Sequence, residues 1–270
     1  MRPFTVVTPD GLTVAAQEWG NPDGAGIVFI HGFCQSHLSW LRQVTDPALA
    51  TRFRMVTYDL RGHGGTSKPM EPASYEDDRL WADELAGVMA AAGMRRPFLV
   101  AWSYAGRVVA DYLRVHGETG IAGINYVNAR CSTVSAHFGS AQKHFRGMQS
   151  DDIAVNIAAT RAFVRACFAI QPAADDFETM LAFNMIVPAA IRRFILGRPD
   201  DTPEAMARLT LPVLVTHGRK DTIIREAMAE FIAASVKGSR LSFYDGIGHA
   251  PFWENAARFN TELAAFVERI

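Results

Sequence analysis

The chain is poor in cysteine, in net charge and in long apolar runs, and each shortage removes a class of protein. Its three cysteines, Cys34, Cys131 and Cys167, are odd in number and widely spaced, with no CxxC pair. Such spacing suggests neither a disulfide framework nor a zinc site, so buried or semi-buried free thiols in a reducing cytoplasm are expected. Basic residues number 27 against 28 acidic ones and form no basic run, which argues against a nucleic-acid partner. No apolar run is long enough to span a bilayer. Met1-Arg2-Pro3-Phe4 leads straight into a strand-like segment with no apolar signal region. A cytoplasmic protein without membrane contact is the expectation. The eight histidines include no H-x-H or HExxH pair, and no G-x-G-x-x-G follows the first buried-type strand. Neither a metal nor a cofactor is therefore expected.

What is present is an alternation of short β-branched runs with amphipathic helical stretches, the pattern of an α/β sheet with crossovers. Its 270 residues, 49% hydrophobic and 20% charged, suit a globular chain that folds without staples. A first strand, Phe4–Val7, turns at Pro9-Asp10-Gly11 into Leu12–Trp19, an edge hairpin by its turn chemistry. Six further strands are predicted at Ile27–His31, Arg54–Asp59, Phe98–Ser103, Ile124–Asn128, Val213–His217 and Arg240–Asp245, making eight, mostly parallel. Ser74 with Asp77 reads as a capping box ahead of a helix whose Trp81, Leu85, Val88 and Ala92 share one face. Ala105, Val108, Val109, Tyr112 and Leu113 repeat at helical spacing, as do Phe259, Leu263, Phe266 and Val267.

Between about Cys131 and Leu209 the strand rhythm stops. This stretch is helix-like, with acidic pairs at Asp151-Asp152, Asp175-Asp176 and Asp200-Asp201, and with Pro188, Pro199 and Pro203 as punctuation. It holds 7 of the 17 phenylalanines, which suits either a cap over an apolar pocket or a helical layer on a sheet. The predicted division is a sheet core of residues 1–130 and 209–270 with a helical cap, 131–208, inserted into it.

Four segments carry chemistry. In Phe98-Leu-Val-Ala-Trp-Ser103-Tyr-Ala-Gly-Arg107, an apolar strand meets a serine flanked by the small residues Ala101, Ala105 and Gly106, and a helix follows at once. A nucleophilic serine needs such a sharp turn to expose its oxygen, though a serine capping a helix N-terminus reads the same way. Ile27-Val-Phe-Ile-His31-Gly32-Phe33-Cys34 is a strand ending in His-Gly. Pro212 to Asp221 is a strand followed by an acid, and Phe243 to Glu254 is a strand followed by His249 in a glycine-framed loop. A serine hydroxyl is a weak nucleophile and needs an imidazole as general base. That imidazole in turn needs a carboxylate to fix its tautomer. Ser103, Asp221 and His249 supply the three, and Asn128, at the end of its own strand, offers no rival carboxylate.

HGFCQSHLSW (31–40), YDLRGHGGTSKP (58–69), the serine turn, LPVLVTHGRKD (211–221) and GIGHAPFWE (246–254) together resemble the α/β-hydrolases. The nearest likeness is to the esterases once called cofactor-free bacterial haloperoxidases, and it is weak across the cap. The resemblance implies an α/β-hydrolase fold, with catalytic residues in the chain order serine, acid, histidine. It implies an oxyanion hole made by the backbone N–H groups of Phe33 and Tyr104. Phe33, Cys34 and Tyr104 become candidate pocket residues, Trp102 is expected beneath the turn, and Arg61 and His63 are expected to hold the 59–64 loop. Haloalkane dehalogenases and epoxide hydrolases place aspartate where this chain has Ser103, so those chemistries are not expected.

The expected activity is cleavage of a carboxylic ester, thioester or lactone of small to medium apolar type through an acyl-serine, with perhydrolysis as a side reaction. The alternatives are a hydroxynitrile lyase or carbon–carbon bond hydrolase on the same residues, and a non-catalytic ligand receptor. A small-molecule substrate is the one partner expected, for a monomer or a homodimer.

Overall fold

A computed structural model, which describes residues 1–199, 206 and 208–270, joins eight strands into one sheet. They are β1 (Arg2–Val7), β2 (Thr13–Gly20), β3 (Ala25–Ile30), β4 (Phe53–Tyr58), β5 (Phe98–Trp102), β6 (Gly123–Val127), β7 (Val213–Gly218) and β8 (Arg240–Tyr244). Their order across the sheet is β1-β2-β4-β3-β5-β6-β7-β8. β2 pairs antiparallel with β1 and β4, and every other pairing is parallel. All residues of β5, β6 and β7 are buried, which is why these segments read as continuous apolar runs. The hairpin closes where expected: Gly11, at φ +80°, donates to the Thr8 carbonyl, and Leu12 returns the chain by accepting from Thr8 N–H.

Helices flank the sheet and bury the stripes seen in the sequence. Trp81, Leu85 and Val88 of helix Asp78–Ala91 are fully covered, as are Val108 and Val109 of helix Ala105–His116. Each large apolar side chain so buried contributes about 1.5–3 kcal/mol. The capping box expected from Ser74 and Asp77 does not form. Pro72 starts a separate turn, Ala73–Glu76, that absorbs Ser74. Asp77 then leaves it in extended conformation and caps the next helix alone, accepting from Arg79 N–H at 2.8 Å. The Ser74 carbonyl goes to Arg61, whose buried guanidinium also meets Glu84. Arg61 thus holds the loop after β4, as the resemblance implied.

An inserted helical region lies between β6 and β7, with helices His144–Met148, Ile153–Ala166, Ala174–Met185 and Ala189–Leu196. Two of the acidic pairs sit at helix starts, where the helix dipole favours them. Asp152 caps Ile153–Ala166, and Asp175 and Asp176 occupy the first turn of Ala174–Met185. The third pair, Asp200-Asp201, and Pro203 lie outside the described residues. At the centre of the region the fully buried Arg192 donates to the carbonyls of Met148, Asn184 and Val187 and to the side chains of Asn156 and Thr160. One guanidinium therefore satisfies acceptors from several helices at once. No single described helix is long and apolar enough to cross a membrane.

Candidate active site

β5 ends at Trp102, and Ser103 follows with φ +57°, a left-handed conformation that costs a non-glycine residue about 1–3 kcal/mol. Neighbouring backbone holds it there. Ser103 N–H donates to the Val127 carbonyl (3.0 Å), while its own carbonyl accepts from Gly106 N–H (3.0 Å) and Arg130 N–H (2.8 Å). The small residues around it have a steric cause. A Cβ on Gly106 would lie 2.7 Å from the Arg130 carbonyl oxygen, and one on Gly32 would lie 3.0 Å from the Ser103 Cβ. Ala101 and Ala105 are fully buried.

Asp221 follows β7 and His249 follows β8. Their side chains meet, His249 Nδ1 to Asp221 Oδ2 at 2.6 Å, and each is 1% exposed. The other Asp221 oxygen accepts the backbone N–H groups of Ile223 (2.7 Å) and Ile224 (3.0 Å). Burial would raise the Asp221 carboxyl. The charge and hydrogen bond of His249, with His217 and Asn128, outweigh burial and hold it below the ordinary carboxylate value. Trp102 joins the two halves of the site: its indole N–H donates to the His249 carbonyl at 2.8 Å, and the rings lie 5.6 Å apart. Trp102 is buried among Trp40, Phe252 and His249, beneath the turn as expected.

The loop after β3 is held by two histidines. His31 Nε2 accepts from Leu60 N–H (3.0 Å) and its Nδ1 faces the Gly32 carbonyl (2.8 Å). His63 Nε2 accepts from Cys34 N–H (3.1 Å) and its Nδ1 faces the Arg61 carbonyl (2.9 Å). Both pairings require the neutral ring with the proton on Nδ1. Burial agrees, pushing His31 down to about 4 and His63 to about 3. His63 is thus a loop-holder, as the resemblance implied, and its imidazole nitrogens are both occupied. The backbone N–H groups of Phe33 and Tyr104 have no acceptor among the described residues, and both residues line one cavity with Ser103.

That cavity has a volume of about 340 Å³. The sheet side contributes Phe33, Ser103, Tyr104, Ile223 and Ile224, and the inserted region contributes Phe138, Phe145, Leu196 and two glutamines, Gln142 and Gln149. Phe145 packs edge-on against Phe33 at 5.4 Å. Arg130 also lines it, its guanidinium 5.7 Å from the Phe138 ring. Cys34, expected beside Phe33 and Tyr104, is a correction: it does not line this cavity. It adopts φ +59° and is fully buried, and burial pushes its thiol up to about 12. All three cysteines are buried and free. Among the described residues no cluster of His, Cys, Asp or Glu could hold a metal ion.

Two contributors escaped the sequence reading. Asn128, noted only for lacking a carboxylate, adopts φ +44° and donates its amide to Asp221 Oδ2 at 2.7 Å. An asparagine directly after a buried strand is a signal for that conformation. Glu254, five residues after His249, accepts from Gly248 N–H at 2.9 Å.

The alpha/beta hydrolase family model matches residues 27–262. A solved structure of a Burkholderia cenocepacia protein provisionally named an aryl esterase is 36% identical, with TM-score 0.93, over 99% of this chain and 98% of that one. The esterase RhEst1 from Rhodococcus sp. ECU1013 is 30% identical, with TM-score 0.92, over 99% of both chains. The non-heme haloperoxidase of Rhodococcus erythropolis is 26% identical over 98% of this chain and 99% of that protein.

Proposed function

The chain belongs to the alpha/beta hydrolase family, and from that premise we propose that it is a serine hydrolase acting on a carboxylic ester, thioester or lactone. In this reading Ser103, His249 and Asp221 are nucleophile, general base and orienting acid. His249 takes the Ser103 proton as the oxygen attacks the carbonyl carbon. Phe33 and Tyr104 N–H groups receive the developing oxyanion, two donors fixed before the substrate arrives. The intermediate collapses to an acyl-serine as His249 protonates the leaving alcohol, thiol or lactone oxygen. Water, deprotonated by His249, then releases the acid and restores Ser103.

The observation that carries the reading is the buried 2.6 Å contact between His249 and Asp221, tied through Trp102 to the strained turn that presents Ser103. A volume of about 340 Å³ lined by phenylalanines and isoleucines supports a small to medium apolar acyl group or ring. The likeness to a provisionally named aryl esterase supports an aromatic ester, and that to a haloperoxidase supports a side reaction in which hydrogen peroxide replaces water and yields a peracid.

One observation favours a second reading. Arg130 brings a cation to the cavity, as a lyase that stabilises an anionic leaving group would require. The test is hydrolysis of p-nitrophenyl esters of rising acyl length by wild type and Ser103→Ala, with cyanohydrin cleavage in parallel. Serine-dependent release with a chain-length optimum is expected. Full activity in Ser103→Ala sinks the proposal, and cyanohydrin cleavage without ester hydrolysis moves it to the lyase.

A further inference from the structure

The inserted region is fastened to the loops that carry the acid and the base. Its segment 166–170, at the end of helix Ile153–Ala166, meets both. The Ala166 carbonyl accepts from the Thr222 hydroxyl (3.0 Å), next to Asp221. The Cys167 carbonyl accepts from the backbone N–H of His249 itself (2.9 Å). Glu254 completes the join: Oε2 accepts from Ala169 N–H (2.9 Å) and Ile170 N–H (2.7 Å), while Oε1 accepts from Gly248 N–H (2.9 Å). The approach is so close that a Cβ on Gly248 would lie 2.7 Å from Ala169 N and 3.1 Å from the Cys167 oxygen.

From this geometry we infer that Glu254 is a positioning residue for His249, and that segment 166–170 is part of the structure that sets the base rather than part of a free lid. The inference rests on the reading of His249 as general base. A carboxylate suits the post because its two oxygens accept on both sides at once. No other residue type of this reach does so. A glutamine offers one oxygen and one NH₂, and the NH₂ cannot accept from a backbone N–H, so either the Gly248 side or the 169–170 side is released. Glu254 is not among the residues that line the cavity with Ser103, so it acts on the base and not on substrate binding.

The test is Glu254→Gln, with Glu254→Asp beside it, in the full chain. Three quantities are read: kcat and KM for a short p-nitrophenyl ester, the rate at which a fluorophosphonate labels Ser103, and the downfield proton resonance of the His249–Asp221 hydrogen bond. For Glu254→Gln, kcat and the labelling rate are expected to fall together by about tenfold, as a small displacement of a reacting group produces, with KM within about twofold. The downfield resonance is expected to shift or broaden. Glu254→Asp, which keeps two oxygens but withdraws them by one methylene, is expected to fall between. A folded Glu254→Gln with wild-type kcat, labelling rate and resonance overturns the inference, even if it melts earlier. A wild type that neither turns over esters nor labels at Ser103 sinks the hydrolase reading instead. The resonance still decides the role of Glu254 in that case.

Discussion

The Asn128 amide and the His249 imidazole converge on the same oxygen of Asp221, at 2.7 and 2.6 Å. With Ile223 and Ile224 N–H groups on the other oxygen, the buried carboxylate is surrounded by donors. Its orientation is thereby fixed by donors from the segments after β6, β7 and β8, and Asn128 is one of them although it carries no charge.

Asn128→Asp tests this without strain, because aspartate tolerates the left-handed conformation. Two carboxylates would then share one buried site and resist ionising together. Ester hydrolysis at pH 7 is expected to fall by about 10²-fold, in the range a misplaced general base loses. Combining it with Asp221→Asn, which restores one acid and one amide, is expected to recover part of the activity. A double variant no better than Asn128→Asp alone would show that the carboxylate must come from β7.

His31 and His63 give stability a pH dependence. In the unfolded chain each takes up a proton near its ordinary 6.5, whereas in the fold burial delays this to about 4 and about 3. Between those values the unfolded state binds more protons, so stability declines as pH falls, by about 1.4 kcal/mol per pH unit for each histidine. From pH 7 to pH 5 the two together remove about 4 kcal/mol on the same basis, and Glu84, raised by burial to about 7, returns about half of that by taking up its proton in the fold over the same range. Burial would raise Asp59, but His37 and its neighbours bring it down to about 2, so its own loss begins only below 3.8. Urea melts at pH 5, 6, 7 and 8 check this. The midpoint is expected to be flat above 7 and to drop below 6.5, and equal midpoints at pH 5 and pH 7 would refute it.

Phe145 lines the cavity and packs edge-on against Phe33, and under the proposed function it limits the length of the acyl group. Phe145→Ala is expected to move the p-nitrophenyl ester optimum to longer chains, gaining on them by about tenfold per well-placed methylene relative to wild type. The cost is about 3 kcal/mol of stability, since the ring also packs on Phe163. An unchanged optimum would place the acyl group elsewhere.

β5, β6 and β7 were legible because they are buried on both faces, and burial of that kind leaves a continuous apolar run. The serine, acid and histidine were legible for a related reason: Ser103 follows β5 directly, and Asp221 and His249 stand in the loops after β7 and β8. What was missed depends on contacts distant in the chain. Asn128 meets Asp221 across 93 residues and Glu254 meets Ala169 across 85, and no local pattern encodes either. Cys34 was misplaced because proximity in sequence to Phe33 does not say which side chain the cavity exposes, and Cys34 is fully buried. Ser74 failed as a cap because Pro72, two residues earlier, starts its own turn.

The inserted region leaves from β6 and returns into β7, which are neighbours in the sheet, with Val127 opposite Thr216. An insertion between adjacent strands can be exchanged without rethreading the sheet, so recombination could replace it and change what the pocket accepts. Segment 166–170 limits that freedom. A transplanted insertion would have to arrive with a carbonyl for His249 and two N–H groups for Glu254 at the right places. In lineages descended from such exchanges, crossovers would be tolerated before Ala166 and after Ile170 far more often than between them.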